Sequence, residues 1–129
     1  MELSPKAGID ELVTILVVED EPVLRTVTSD DLRTRGYWVV EAGSAVEAAE
    51  VLQKVQIDLV FADIILPGIM GGLSFAVWLH ERHPGVPLIL TSGVKTNIAG
   101  LKGSHRVPFV AKPYDIDRVA QLIADTLHK

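Results

Sequence analysis

The residues best suited to chemistry stand directly behind short apolar runs. Thr14-Ile15-Leu16-Val17-Val18 leads into Glu19, Asp20 and Glu21, and the run from Ile57 to Ile64 carries Asp63. Val86 to Leu90 leads into Thr91-Ser92-Gly93, and Val107 to Ala111 into Lys112-Pro113. If each run is a strand of one parallel sheet, these residues share its carboxyl edge, where open α/β sheets bind ligands. Crowded carboxylates repel one another and favour protonation unless a cation joins them. Oxygen donors with open positions suit Mg2+, which keeps waters and shares phosphate oxygens. Lys112 and Thr91 can then hold the oxygens of an incoming phosphoryl group, and Asp63 becomes a nucleophile able to form an acyl phosphate. Taken singly, each feature is ordinary. An acid after a strand is commonly a turn residue, and acids ahead of Pro22 favour a helix start by charge–dipole attraction. Four strand ends acting together make the case for a site.

The elements that must deliver these groups are legible as an alternation of strands and helices. The first strand is expected over 14–18. Pro22 suits the first position of a helix reaching Arg35 and stopped by Gly36. Leu24, Val27, Thr28 and Leu32 form its expected inner stripe, with Asp31 in that stripe paired to Arg35. Tyr37 to Glu41 reads as a second strand. Ser44-Ala45-Val46-Glu47 has capping-box spacing and opens a helix to about Val55. The third strand follows, apolar enough to be buried on both faces. Leu73 to His83 is a third helix, with Leu73, Phe75, Ala76 and Leu79 inward and either Val77 and Trp78 outward as an apolar interface pair or the helix rotated to bury Trp78. Val86 to Leu90 and Val107 to Ala111 are the last strands, and any helix between Val94 and Arg106 is short. Asp115 caps a final helix whose Ile116, Val119, Leu122, Ile123 and Leu127 face inward. The expected fold is α/β: a doubly wound, five-stranded parallel sheet of order 2-1-3-4-5, with helices on both faces, preceded by a tail over 1–13.

Composition narrows the function classes. The 129 residues fit one domain, 48% are apolar and there is no cysteine, so disulfides and thiolate metal sites are excluded. A formal charge of −5 argues against a nucleic-acid surface. No apolar run is long enough to cross a bilayer, so a cytoplasmic domain without membrane contact is expected. His80, His83, His105 and His128 form no ligand pattern.

With these motifs in order, the sequence resembles the response-regulator receiver domains of two-component signalling. The resemblance spans about Thr14 to Leu127. It rests on Ile-Leu-Val-Val-Glu-Asp-Glu-Pro at 15–22, on Asp63 with Leu66-Pro67-Gly68, on Leu90-Thr91-Ser92-Gly93 and on Phe109-Val110-Ala111-Lys112-Pro113. It implies that Asp63 is the phosphoacceptor, loaded from a phosphohistidine on a sensor kinase or phosphotransfer protein. It implies that Asp20, Asp63 and the backbone carbonyl of Ile65 ligate Mg2+ (or Mn2+), with Glu19 acting through water. Thr91 and Lys112 would hold the phosphoryl group, and Thr91 and Phe109 would form a switch. Glu19 stands where the family more often has Asp. The loop from Pro67 to Gly72 is one residue longer than the commonest form. Ile65 and Gly93 occupy two variable positions that resemble those tuning dephosphorylation, and neither can hold an attacking water.

The leading expectation is therefore a phosphoacceptor signalling module, catalysing only its own phosphoryl transfer and dephosphorylation. With no output domain after the last helix, it is expected to signal through surface change, its downstream partner unidentified and its oligomeric state, homodimer included, open. The alternative is a pseudo-receiver that binds partners without phosphorylation. A phosphatase on the same fold is disfavoured, because Ile65 stands where a second acid is needed. A nucleotide or flavin module is disfavoured by acids where a Gly-rich phosphate loop belongs.

Overall fold

The computed structural model describes residues 12–65, 71–93 and 107–128. Residues 1–11 of the expected tail, the Leu66-Pro67-Gly68 motif with its loop up to residue 70, and the segment 94–106 lie outside the described residues. Strands β1 (Thr14–Val18), β2 (Trp38–Ala42), β3 (Leu59–Asp63), β4 (Leu88–Ser92) and β5 (Phe109–Ala111) form one parallel sheet in the order β2-β1-β3-β4-β5. Helices α1 (Pro22–Thr34), α2 (Ala45–Lys54), α3 (Gly72–Arg82) and α4 (Ile116–Leu127) cover it. The expected class and strand order are what the structure has.

Side chains alternate across a strand, so each run feeds two cores. Leu16, Val18, Val60, Ala62 and Leu90 meet Ala48 and Leu52 of α2 and Phe75 and Leu79 of α3 on one face. Ile15, Val17, Leu59, Phe61 and Ile89 meet Leu32 of α1 and Val119 and Ile123 of α4 on the other. This two-sided burial is why β1 and β3 read as unbroken apolar runs.

Helix ends follow local chemistry. Glu21 caps α1, its carboxylate accepting from the N–H groups of Val23 and Leu24 at 3.1 Å each. Gly36 takes a φ of 101° just past the helix, a left-handed turn that glycine adopts without strain. Ser44 caps α2 by accepting from the Glu47 N–H, while the Glu47 carboxylate reaches back to the Gly43 N–H, one residue before the usual capping-box partner. Asp31 pairs with Arg35 at 2.6 Å, and Arg35 extends to Asp117 at the start of α4.

Several element details differ from expectation. On α1 the buried residues are Thr28, Ser29 and Leu32, while Val27 is 58% exposed. A stripe centred on positions 28, 29 and 32 turns Val27 outward. On α3 the buried face is Gly72, Phe75, Ala76 and Leu79. Leu73 is therefore exposed, and Trp78 does not point outward: it stacks on Phe75 with ring centroids 6.0 Å apart and packs against the core. Strand β4 begins two residues late because Val86 is held in the preceding turn, its N–H donating to His83. It then runs through Thr91 and Ser92, which are strand residues and not a following turn. Strand β5 is shortened to three residues, and Pro108 lies just before it.

Gly72 is the tightest point of the frame. Its N–H donates to the Ile64 carbonyl at 2.8 Å, and a Cβ built there would lie 2.1 Å from that oxygen. Gly71 has open space instead. Gly72→Ala is expected to destabilise the fold by about 1–3 kcal/mol, the usual cost of overpacking, measured by denaturant unfolding, with Gly71→Ala close to wild type.

Candidate functional site

Parallel register brings the expected residues to one edge. Asp63 pairs with Thr91 across β3 and β4, and the Ile64 N–H donates to the Thr91 carbonyl at 2.8 Å. The Glu19 N–H donates to Ala42 at 3.0 Å, carrying β1 pairing one residue past its end. The Lys112 N–H donates to Ser92 at 2.9 Å, which aims the residue after β5 back across the sheet. The Lys112–Pro113 peptide is cis.

At the centre, the Lys112 ammonium lies 2.6 Å from Asp63 Oδ2 and 2.7 Å from Glu19 Oε1. Asp63 Oδ1 accepts from the Ile65 N–H at 2.9 Å, and Glu19 Oε2 accepts from the Glu21 N–H at 3.1 Å. Glu19 is 4% exposed, Asp63 5% and Thr91 2%, whereas Asp20 faces solvent. The run of three acids thus divides its labour. Glu19 turns into the site, Asp20 stands at its mouth, and Glu21 caps α1.

Burial pushes the Glu19 carboxyl above its ordinary range, with Lys112 and the Glu21 N–H opposing and the Asp63 charge adding to the rise. For Lys112 burial is the largest single influence and disfavours its charge. The hydrogen bonds from Asp63 and Glu19, with their charges, together outweigh it and hold the ammonium above its usual range. One cation therefore faces two buried carboxylates and offsets only part of their charge, and the third acid leaves the cluster more negative still.

The ligand oxygens of Glu19, Asp20 and Asp63 lie within 4.8 Å of one another. An all-oxygen set, partly buried and carrying surplus negative charge, fits a hard divalent cation such as Mg2+. Beside it, Thr91 Oγ1 is buried with no hydrogen-bond partner among the described residues. A hydroxyl so placed is costly unless something accepts from it. Ile65 exposes an apolar side chain at the site, and Gly93 lies beside the Lys112 stem. Phe109 is partly exposed on edge strand β5, opposite Leu90 and one register step from Thr91.

Three contributors are not legible from spacing. Arg25 of α1 donates from Nη1 to the Glu19 carbonyl at 2.7 Å, and its Nε lies 3.5 Å from Glu41 at the end of β2. Glu41 in turn pairs with Arg33 at 3.0 Å. Tyr114, two residues after Lys112, hydrogen-bonds Thr28 of α1. A helical arginine, an acid near a strand end and a tyrosine after proline carry no local signal of such contacts. Among the described histidines, His83 packs against Trp78 and belongs to no ligand group.

Comparisons with known proteins agree with this geometry. The family model described as "Response regulator receiver domain" matches residues 15–124. The chain is 32% identical over 120 residues to the sensor kinase CckA of Brucella abortus, covering 90% of this chain and 13% of that protein. The solved receiver domain of the hybrid histidine kinase CckA is 34% identical, with a TM-score of 0.74 over 88% of this chain and 98% of that one. The response regulator TrrA of Thermotoga maritima is 27% identical, with a TM-score of 0.80 over 88% and 98% of the two chains. Receiver domains of this kind accept phosphoryl groups from histidine kinases. No helix among the described residues is long and apolar enough to cross a membrane. A family match over most of the chain, together with the shared fold, places this chain in the response-regulator receiver domain family of two-component systems.

Proposed function

We propose that the chain is a phosphoacceptor that takes a phosphoryl group from a phosphohistidine onto Asp63. The observation that carries this is the buried Asp63 carboxylate, bridged by Lys112 to Glu19, with the Thr91 hydroxyl, which has no partner among the described residues, on the neighbouring strand. An Asp63 oxygen bonds to phosphorus as the phosphorus–nitrogen bond of the donor breaks. The electron pair leaves with the imidazole, which takes up a proton from solvent. Lys112 moves its charge from the free carboxylate to the phosphoryl oxygens, and the Ile65 N–H holds the Asp63 oxygen it already binds. Thr91 gains in the phosphoryl group the acceptor it lacks.

Asp20, Asp63 and the Ile65 carbonyl would hold Mg2+ or Mn2+, with Glu19 acting through water. Bound there, the cation supplies neutralisation of the charge shared by the carboxylates and the phosphoryl group. The similar protein TrrA was solved in complex with Mg2+ and BeF, which supports this reading. The donor is a sensor kinase or phosphotransfer protein. The output is a surface change in which Thr91 moves toward the phosphoryl group and Phe109 turns inward behind it.

Intact mass after incubation with acetyl phosphate tests the chemistry. A Mg2+-dependent phosphoryl adduct is expected on wild type and not on Asp63→Asn. Its absence from wild type would favour a partner-binding domain that works without phosphorylation.

Cation binding has its own readout. At ten times its dissociation constant, Mg2+ is expected to stabilise the fold by about 1.4 kcal/mol, seen as a higher Tm. Asp20→Ala or Asp63→Ala should abolish that rise; an equal rise in both variants counts against the assigned ligands.

Neither the apolar Ile65 nor Gly93 can hold an attacking water, so the adduct is expected to decay slowly. Decay within seconds of removing the donor, in the presence of Mg2+, would contradict this.

A further inference from the structure

We infer that Thr28 and Tyr114 form a strut that positions Lys112. The inference rests on the phosphoacceptor reading only for its catalytic consequence. Lys112 sits on the connection between β5 and α4, and no residue of that connection, 112–115, is fully buried. The ammonium must nevertheless reach two carboxylates on other strands at 2.6 and 2.7 Å. Two residues beyond Lys112, the Tyr114 hydroxyl meets Thr28 Oγ1 at 2.7 Å across 86 positions of chain. Thr28 is 1% exposed and belongs to the buried face of α1, so its hydroxyl is a fixed point.

The Tyr114 ring lies edge-on to Phe61, with centroids 5.4 Å apart and planes at 70°. Phe61 is two residues before Asp63 on β3. The tyrosine is thereby held at its tip by α1 and along its ring by the strand that carries the acceptor. Between those holds, the backbone leading to Lys112 has little freedom. Loss of the phenol hydroxyl would strand the buried Thr28 hydroxyl, so the two act as a pair and not as independent contacts. Tyr114 and Thr28 touch no reacting atom in this scheme; they are positioning residues.

The test uses the full chain with Tyr114→Phe, Thr28→Val, the double variant and Thr28→Ser, which keeps a hydroxyl. Lys112 labelling by an amine-reactive acetylating reagent, relative to exposed Lys54 and read by peptide mass, reports its position without any phosphoryl chemistry. Both single variants should raise relative Lys112 labelling by about two- to tenfold, the factor that one buried hydrogen bond supplies. The double variant should match either single, and Thr28→Ser should match wild type. On protein that remains folded, adduct formation from acetyl phosphate should slow by a similar factor in the same variants. Unchanged labelling in the single variants, or effects that multiply in the double, would overturn the strut. Wild type that takes no adduct would sink the phosphoacceptor reading, while the labelling pattern still decides the strut.

Discussion

Two buried carboxylates cannot both stay ionised side by side unless a cation joins them. That constraint organises the molecule. Glu19 and Asp63 arrive from adjacent strands, and Lys112 arrives from the far edge of the sheet to join them. Each acid also takes one backbone N–H from its own loop, so their remaining valence is directed and not diffuse. Lys112 sets one positive charge against two carboxylates, and counting Asp20 at the mouth widens the deficit. A site with surplus negative charge and a buried hydroxyl without a partner among the described residues has the chemistry that suits a cation beside an oxyanion.

The scaffold meets this constraint with parallel pairing. Because β1, β3 and β4 run in one direction and in register, their carboxyl ends finish at one level. Lys112 is the exception in reach, and the structure braces it from outside the sheet. Helix α1 serves both halves of the site: Arg25 ties down the Glu19 carbonyl, and Thr28, one turn on, meets the tyrosine beside Lys112. The long pairings of Arg33 with Glu41 and Arg35 with Asp117 extend the same helix toward β2 and α4. These surface pairs contribute little stability individually; the buried Thr28, Ser29 and Leu32 face is what packs α1 against the sheet.

Where expectation and structure part, the cause is rotational. Trp78 and Val77 are neighbours on α3, and a spacing argument can place both outside. Packing separates them, because stacking on Phe75 removes the larger ring from water and leaves valine exposed. Val27 on α1 shows the converse. Thr28, Ser29 and Leu32 take the buried face, and an apolar residue is left outside while hydroxyls go in. Apolar periodicity counts hydrophobes; it does not reveal that the Thr28 hydroxyl will meet Tyr114 across the fold.

The sequence by itself determined the fold class, the strand order expected of a doubly wound sheet, and the acids, threonine and lysine that meet at one edge. It could do so because these depend on local patterns: unbroken apolar runs for two-sided strands, Pro22 and Ser44 at helix starts, and Gly36 at a left-handed stop. Only tertiary structure decided which of three successive acids enters the site, that Lys112 bridges two carboxylates, and that Arg25, Glu41, Thr28 and Tyr114 support them. Those contacts join residues 6 to 93 positions apart. Their existence depends on helix rotation and strand register, which no local spacing encodes.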